Sequence, residues 1–316
     1  MLLASKGVRV RLWGYEAPHV EEMVRTRENR PFLAGVALPD PIEPTNRLEA
    51  LRECPLLIFV PPSKAARSVA TALAGVGLPA SCPVISCTKG IEHGTGLRMS
   101  EVLALQLPDN PIGVLSGPSH AEEVARGEPT AVVIGAPDLT LAQRAQELFA
   151  TSTFRAYRTD DVAGIELGGA LKNIYAIGAG ICDGLGLGDN TKAALITRSL
   201  AEMIRLGVAL GGRSETFQGL SGIGDLMVTC FSQHSRNRGV GERLGRGEPP
   251  AEILGSMRMV AEGVPTARSA FECARRLQID TPVLDQVCAI LDGTQPPANA
   301  LRELMTRDLK AEGWSP

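Results

Sequence analysis

Short apolar segments alternate with helix-type segments over the first half of the sequence. The apolar segments are each long enough for one strand and occupy residues 56–60, 84–87, 112–115 and 131–134. Helical patterns fall between them, at residues 64–73 and 99–106. Strands that alternate with helices predict a parallel sheet joined by crossover helices. The uninterrupted apolar run at 56–60, followed by two prolines, further indicates a strand buried on both faces of that sheet.

The second half of the sequence has a different pattern. From about Asp161 onward, apolar residues recur at helical spacing, and no strand is predicted after Tyr157. A chain of 316 residues is long enough for two domains. We therefore expect an α/β domain at residues 1–160 and an all-helical domain at residues 161–316.

Composition excludes several classes of protein. The formal net charge is only −3, from 32 basic and 35 acidic residues, so no nucleic-acid partner is expected. Seven cysteines without CxxC spacing and four distant histidines indicate neither a disulfide framework nor a metal site. The most apolar stretch, residues 167–187, contains Lys172, Asn173 and Asp183, which favours a buried helix over a membrane span. We expect a reduced, cytoplasmic protein with no integral membrane segment.

Two candidate motifs directly follow predicted strands. Lys89 lies where the carboxyl end of a parallel strand would present it to a ligand, although a solvated loop lysine is the alternative. The second motif covers residues 116–123, where Ser119 and Glu122 have the spacing of a capping box at a helix start. Such a helix start can bind an anion, and a plain cap is the alternative. His120, beside this predicted cap, is interpreted as structural.

Two further motifs lie in the helical half. Lys172 is placed inside a strongly apolar helix, where burial would lower its pKa and suit it to proton transfer. The alternative is a lysine whose amine reaches the surface. Ser235 is a predicted N-cap, and Arg236 and Asn237 add a cation and an amide to the first turn, unless they are simply solvated. Together, the four motifs predict a site for a phosphorylated or carboxylated small molecule.

These motifs also carry a resemblance that extends over nearly the whole chain. The matching segments are 12–13, 60–61, 88–92, 116–119, 128–131, 167–173, 176–180, 224–226, 235–238 and 262–263. In sequence and spacing they resemble the bacterial-type NAD(P)-dependent glycerol-3-phosphate dehydrogenases. The resemblance implies a Rossmann-like dinucleotide-binding domain at residues 1–160 and a helical substrate domain at residues 161–316.

The resemblance also implies an activity and a set of site residues. The reaction would interconvert sn-glycerol 3-phosphate and dihydroxyacetone phosphate with NAD or NADP, supplying glycerol 3-phosphate for phospholipid synthesis. Lys172 matches the catalytic proton acceptor. Substrate contacts are implied for Lys89, Gly117, Ser119, Lys172, Asp225, Ser235, Arg236 and Asn237, and cofactor contacts for Tyr15, Lys89, Ala121, Arg236, Val260 and Glu262. The family further suggests a homodimer.

One feature expected of a dinucleotide-binding domain is missing from the sequence. No first strand with a GxGxxG turn precedes residues 8–13, and residues 1–6 read as the end of a helix that stops at Gly7. Either the true start lies about 20 residues upstream, by the length of a strand, a loop and most of a helix, or the loop is lost. We therefore expect this chain to bind NAD(P) poorly and to be less stable than a version extended upstream.

Three questions of function remain open from the sequence. A non-catalytic, phosphometabolite-binding relative is the alternative to the dehydrogenase, and another two-domain reductase, of hydroxyacid or ketopantoate type, is a third reading. The preference between NAD and NADP is also open. Glu16, just after the strand at 8–13, would favour NAD, whereas Arg11 and Arg47 could serve a 2′-phosphate.

Overall fold

The computed structural model describes residues 1–257 and 259–309, so Arg258 and the end of the predicted helical domain, residues 310–316, lie outside the described residues. The first half contains nine strands: β1 (Val10–Trp13), β2 (Glu28–Asn29), β3 (Leu33–Ala37), β4 (Ile42–Thr45), β5 (Leu57–Phe59), β6 (Val84–Ser86), β7 (Ile112–Ser116), β8 (Thr130–Gly135) and β9 (Phe154–Thr159). Its α-helices are α1 (Leu2–Ser5), α2 (Ala17–Thr26), α3 (Ala66–Val76), α4 (Met99–Gln106), α5 (Ala121–Ala125) and α6 (Leu139–Phe149). The predicted alternation of strands and helices is confirmed.

The main sheet has five strands in the order β5-β6-β7-β8-β9. All neighbours are parallel except β7 and β8, so the predicted parallel sheet includes one antiparallel pair that the sequence did not indicate. The link between them, residues 117–129, holds only the short helix α5, and an antiparallel pair does not need a full crossover helix. The carboxyl ends of β6 and β7 therefore lie side by side and carry the loops that begin at Cys87 and Gly117.

The remaining strands form two small sheets. β1 pairs in parallel with β4, and β2 pairs antiparallel with β3. Within the described residues, β5 pairs only with β6, and β1 pairs only with β4. Because β5 is an edge strand, Ile58 is 37% exposed and Val60, just beyond it, is 62% exposed. The prediction that the 56–60 segment is buried on both faces is therefore wrong.

The second half is helical within the described residues. Its α-helices are α7 (Val162–Gly184), α8 (Asp189–Ala209), α9 (Ser214–Phe217), α10 (Asp225–Phe231), α11 (Arg236–Gly245), α12 (Pro250–Gly255), α13 (Gly263–Arg276), α14 (Pro282–Leu291) and α15 (Pro297–Met305). A π-helical turn, Leu220–Gly224, precedes α10. α7 is the centre of this half, since every residue from Gly164 to Cys182 is buried. None of the described helices is long and apolar enough to cross a membrane.

Glycines on α7 and α11 allow the two helix backbones to touch. A Cβ atom at Gly241 would lie 1.9 Å from the carbonyl oxygen of Ile177, and one at Gly180 would lie 2.0 Å from that of Arg238. Only glycine fits at such distances, because real Cβ contacts are far longer. This close crossing holds the N-terminus of α11 in a fixed position against α7.

Candidate functional site

Lys172 lies in the middle of α7 and is buried, with a side chain that is only 7% exposed. Its ammonium forms an ion pair with Asp225, the first residue of α10, and donates a hydrogen bond of 2.8 Å to the hydroxyl of Thr229. The alternative in which this lysine reaches solvent is therefore excluded. A buried amine that is paired in this way can still exchange a proton with a bound molecule.

Asp225 also accepts a hydrogen bond from a second lysine. Lys89 Nζ lies 2.6 Å from the other carboxylate oxygen of Asp225 and donates to the carbonyl of Gly117, 3.1 Å away. Lys89 follows β6, and Gly117 follows β7, so the neighbouring ends of these strands face the start of α10. Two lysines and one carboxylate carry a net positive charge, which suits an anion.

Burial and neighbouring charges set the ionisation of this group. Desolvation, together with the charge of Lys89, lowers the pKa of Lys172 to about 8, although the carboxylate of Asp225 opposes this shift. Burial alone would raise the pKa of Asp225, but the two ammonium groups outweigh it and hold that pKa below its ordinary value. Asp225 is therefore a fixed negative charge, and Lys172 titrates near neutral pH.

A second chain of hydrogen bonds begins at the residue after Lys172. Asn173 accepts a hydrogen bond of 2.9 Å from the amide of Asn237, in the first turn of α11. The amide oxygen of Asn237 in turn accepts from the backbone N–H of Gly263 at 2.8 Å. Ser235 caps α11 by accepting from the backbone N–H of Arg238, as predicted. The start of α11 is thus fastened to α7 and α13.

The segment before α13 joins both halves of the protein. Arg236 donates to the carbonyl of Val260 at 2.8 Å. Glu262 accepts a hydrogen bond of 3.0 Å from the backbone N–H of Ser63, and its other oxygen accepts from the Ser63 hydroxyl. Ser63 lies just beyond β5, so this contact links the edge of the main sheet to the helical half. The segment that holds Val260 and Glu262 therefore contacts Arg236 on one side and Ser63 on the other.

The structure corrects the predicted cap at Ser119. The N-cap residue of α5 is His120, whose side chain caps nothing, and the Ser119 hydroxyl donates instead to the carbonyl of Gly117 at 3.1 Å. Gly117 has a φ of +128°, which favours glycine and turns the chain so that Ser119 faces its own loop. Glu122 consequently forms no capping box with Ser119.

Two predicted cofactor contacts lie outside these networks. Ala121 is the exposed first residue of α5. Tyr15 is 85% exposed beyond the end of β1, with its ring edge-on to Trp13 at 6.5 Å. Neither residue has a described hydrogen bond to the lysine and carboxylate group.

Three residues that the sequence argument did not select belong to these networks. Thr229 lies one helical turn after Asp225, a spacing that could have suggested a shared face. Asn173 directly follows Lys172 in the 167–173 segment, but no contact was predicted for it. Ser63 gave no signal, because its partner Glu262 is 199 residues away in the chain.

The arrangement defines a class of protein. A Rossmann-like sheet is joined to a helical half, and a buried lysine with a pKa of about 8 lies where they meet. The cationic groups beside this lysine suit an anionic substrate. These are the elements of a nucleotide-dependent oxidoreductase. Within the described residues, no group of three or more histidine, cysteine, aspartate or glutamate side chains could hold a metal ion.

Comparisons with known proteins identify the family. The family model for the N-terminus of NAD-dependent glycerol-3-phosphate dehydrogenase matches residues 1–142, and that for its C-terminus matches residues 161–302. The chain belongs to the NAD-dependent glycerol-3-phosphate dehydrogenase family. It is therefore an oxidoreductase of this kind, and the reading as a non-catalytic binding relative is not supported.

Individual relatives agree with this assignment. The glycerol-3-phosphate dehydrogenase [NAD(P)+] of Geobacter sulfurreducens is 50% identical over 99% of this chain and 94% of that protein. A crystal structure of glycerol-3-phosphate dehydrogenase from Coxiella burnetii is 39% identical, with a TM-score of 0.93 over 97% of this chain and 94% of that one. A ketopantoate reductase from Ralstonia eutropha has a TM-score of 0.61 at 16% identity over 95% of this chain and 94% of that one, which shows a shared fold alone.

Proposed function

We propose that this enzyme interconverts sn-glycerol 3-phosphate and dihydroxyacetone phosphate, with Lys172 as the proton donor and acceptor. The observation that carries the residue assignment is the buried ion pair of Lys172 and Asp225, in which the lysine has a pKa of about 8. An amine with this pKa can both donate and accept a proton near neutral pH.

The substrate phosphate would bind at the start of α11. Ser235 and Asn237 are fixed there by hydrogen bonds, and Arg236 adds a positive charge beside the free N–H groups of the first turn. Lys89 and Asp225, with Gly117 and Ser119 on the neighbouring loop, would then surround the carbon 1 and carbon 2 end of the substrate. These contacts orient carbon 2 toward the nucleotide-binding half.

Lys172 would hold the proton that the reaction moves. When bound, NAD(P)H would supply a hydride to carbon 2 of dihydroxyacetone phosphate. Lys172 Nζ donates its proton to the oxygen on carbon 2 and is left as a neutral amine, and in the oxidative direction it takes that proton back. Asp225 keeps a negative charge beside the amine throughout, which favours the ammonium form in an otherwise buried setting.

The residues proposed for the cofactor have chemistry that fits a nicotinamide nucleotide. Tyr15 has an exposed aromatic ring, and Lys89 and Arg236 carry positive charges that suit phosphate oxygens. The carboxylate of Glu262 can accept a hydrogen bond from a hydroxyl group. The backbone at Ala121 and Val260 would contribute polar groups.

The contacts of Arg11 and Arg47 bear on which of these two residues could bind the 2′-phosphate of NADP. The guanidinium of Arg11 donates to the carbonyl of Ala50 at 2.5 Å and lies 3.4 Å from Glu53, so this arginine is already engaged. Arg47 is exposed after β4, near Trp13, which donates to the neighbouring carbonyl of Asn46. We infer that Arg47 is the cation for a 2′-phosphate and that R47A lowers kcat/KM for NADPH about tenfold while leaving that for NADH within twofold.

The activity is tested by adding dihydroxyacetone phosphate to the protein with NADH or NADPH and following loss of the reduced nucleotide. K172A is expected to lower the rate by at least about 10²-fold. The matched control is K192A, since Lys192 is a second buried, paired lysine, on α8, bound to Asp183. Equal losses in the two variants would contradict the assignment of Lys172. A nucleotide titration by fluorescence separates weak cofactor binding from a failure of the chemistry.

Three broader inferences accompany this function. We infer that the enzyme works in the cytoplasm, in keeping with seven cysteines that are all free thiols. A homodimer is proposed from the family resemblance, and light scattering after gel filtration would test it. The domain boundary is proposed at residue 160, just before the cap of α7 at Asp161, and limited proteolysis would test whether the chain is cut there.

A further inference from the structure

His120 carries a polar atom that the described structure leaves unsatisfied. Its Nε2 atom is buried and has no hydrogen-bond partner among the described residues. A buried polar group without a partner destabilises the folded protein, so native proteins retain few of them. A group of this kind beside a binding site is most simply explained by a partner that arrives with the ligand.

The position of His120 supports this explanation. It follows Ser119 in the loop whose Gly117 carbonyl binds Lys89. Its ring centroid lies 6.0 Å from that of His234, the residue directly before the α11 cap Ser235. His120 therefore lies at the point where the loop after β7 approaches the start of α11. These two segments enclose the proposed substrate site.

We propose that His120 is a substrate-positioning residue whose Nε2 atom hydrogen-bonds the phosphate group of the substrate. The inference rests on the proposed function and adds a contact to it. A phosphate dianion fits better than a neutral hydroxyl, because an imidazole beside it can take up a proton and form a charge-assisted hydrogen bond.

The charges around His120 determine its state before substrate binds. Burial lowers its pKa, and the ammonium of Lys172 lowers it further, against smaller opposing effects of Glu123, Asp225 and Glu122. The neighbouring His234 ring adds no fixed negative charge. The imidazole is therefore neutral at pH 7 in the free enzyme, and an arriving dianion raises its pKa. Substrate binding should then be coupled to proton uptake by His120.

The test compares H120A and H120Q with the wild-type enzyme. H120A is expected to raise KM for dihydroxyacetone phosphate about tenfold while kcat changes less than threefold, because phosphate binding and not proton transfer is affected. In H120Q an amide replaces Nε2 but cannot titrate. The ratio of KM in H120Q to KM in the wild type should fall as pH rises from 6 to 9, and this ratio cancels the ionisation of the substrate itself.

A binding measurement gives an independent readout. Calorimetric titration with dihydroxyacetone phosphate, in two buffers of different ionisation enthalpy at pH 7, should show greater proton uptake for the wild type than for H120Q. H93Q is the control, since His93 is a surface histidine with a 67% exposed side chain, and it should match the wild type. A KM ratio that is constant with pH, or equal proton uptake in wild type and H120Q, would overturn the role of His120. Absence of turnover in the wild type would instead refute the proposed function, and the calorimetry would still decide the contact.

Discussion

The charge of Asp225 is the element of the site whose removal has the most specific consequence. D225N keeps the shape of the side chain but leaves the two ammonium groups of Lys89 and Lys172 together without a counter-charge. At an effective dielectric constant near 20, two unit charges about 4 Å apart interact by about 4 kcal/mol. Removal of the Asp225 charge can therefore change the ionisation equilibrium of Lys172 by up to about 10³-fold. The pKa of Lys172, about 8 in the wild type, should therefore fall below 7.

The kinetic consequence has a defined sign. Reduction of dihydroxyacetone phosphate needs the ammonium form of Lys172, so the wild-type kcat should be constant below about pH 7 and fall as pH rises through 8. In D225N, kcat at pH 7.5 should drop by up to about 10²-fold and recover partly as pH is lowered toward 6. Oxidation of glycerol 3-phosphate, which needs the neutral amine, should show the opposite pH dependence.

The assay is kcat at saturating dihydroxyacetone phosphate and NADH between pH 6 and 9. D183N is the matched control, because Asp183, near the end of α7, likewise pairs with two cations, Lys192 and Arg238. It should keep kcat within threefold and the wild-type pH profile. A D225N loss of equal size at every pH would refute the argument, since it would mean that Asp225 acts through packing or orientation and not through the ionisation of Lys172.

Two further predictions concern stability. G241A should lower the free energy of unfolding by at least about 3 kcal/mol, because its Cβ atom would lie 1.9 Å from the carbonyl oxygen of Ile177. G239A, whose Cβ atom would have nothing within 4 Å, should leave the free energy of unfolding unchanged in the same urea denaturation experiment. Glu202 is buried, accepts from the backbone N–H groups of Val283 and Leu284, and has its pKa raised by burial to about 7. Because the folded pKa exceeds the unfolded one, wild-type stability relative to E202Q should fall between about pH 4.5 and 7 and level off above. A relative stability that stays constant over this range would show that Glu202 is ionised in the folded protein throughout it.

Local patterns were sufficient for much of the fold. The apolar segments located β5 to β8 to within one or two residues, and α4 was located at its observed bounds. The stop at Gly7 was also predictable, because its φ of +75° is one that glycine accepts readily at a helix end. Each of these features depends on residues close together in the chain.

The errors came from features that local patterns do not contain. The antiparallel pairing of β7 and β8 depends on the path of residues 117–129, and the exposure of Ile58 depends on what lies beside an edge strand. For the site, the apolar helix around Lys172 indicated a buried amine, but its ion pair with Asp225 was not predicted, because the family resemblance implied Asp225 only as a substrate contact. The contact of Ser63 with Glu262 spans 199 residues and had no signal in the sequence.

The shared carboxylate of Asp225 has a mechanical consequence. One of its partners, Lys89, belongs to the α/β half, whereas the other, Lys172, belongs to the helical half. If the two halves moved apart, Lys89 would move away from Asp225 and Lys172, and the weaker effect of its charge would raise the pKa of Lys172. The acid strength of the proton donor thus reports the alignment of the two halves. A mutation in the joint between them should therefore displace the pH profile of the reaction.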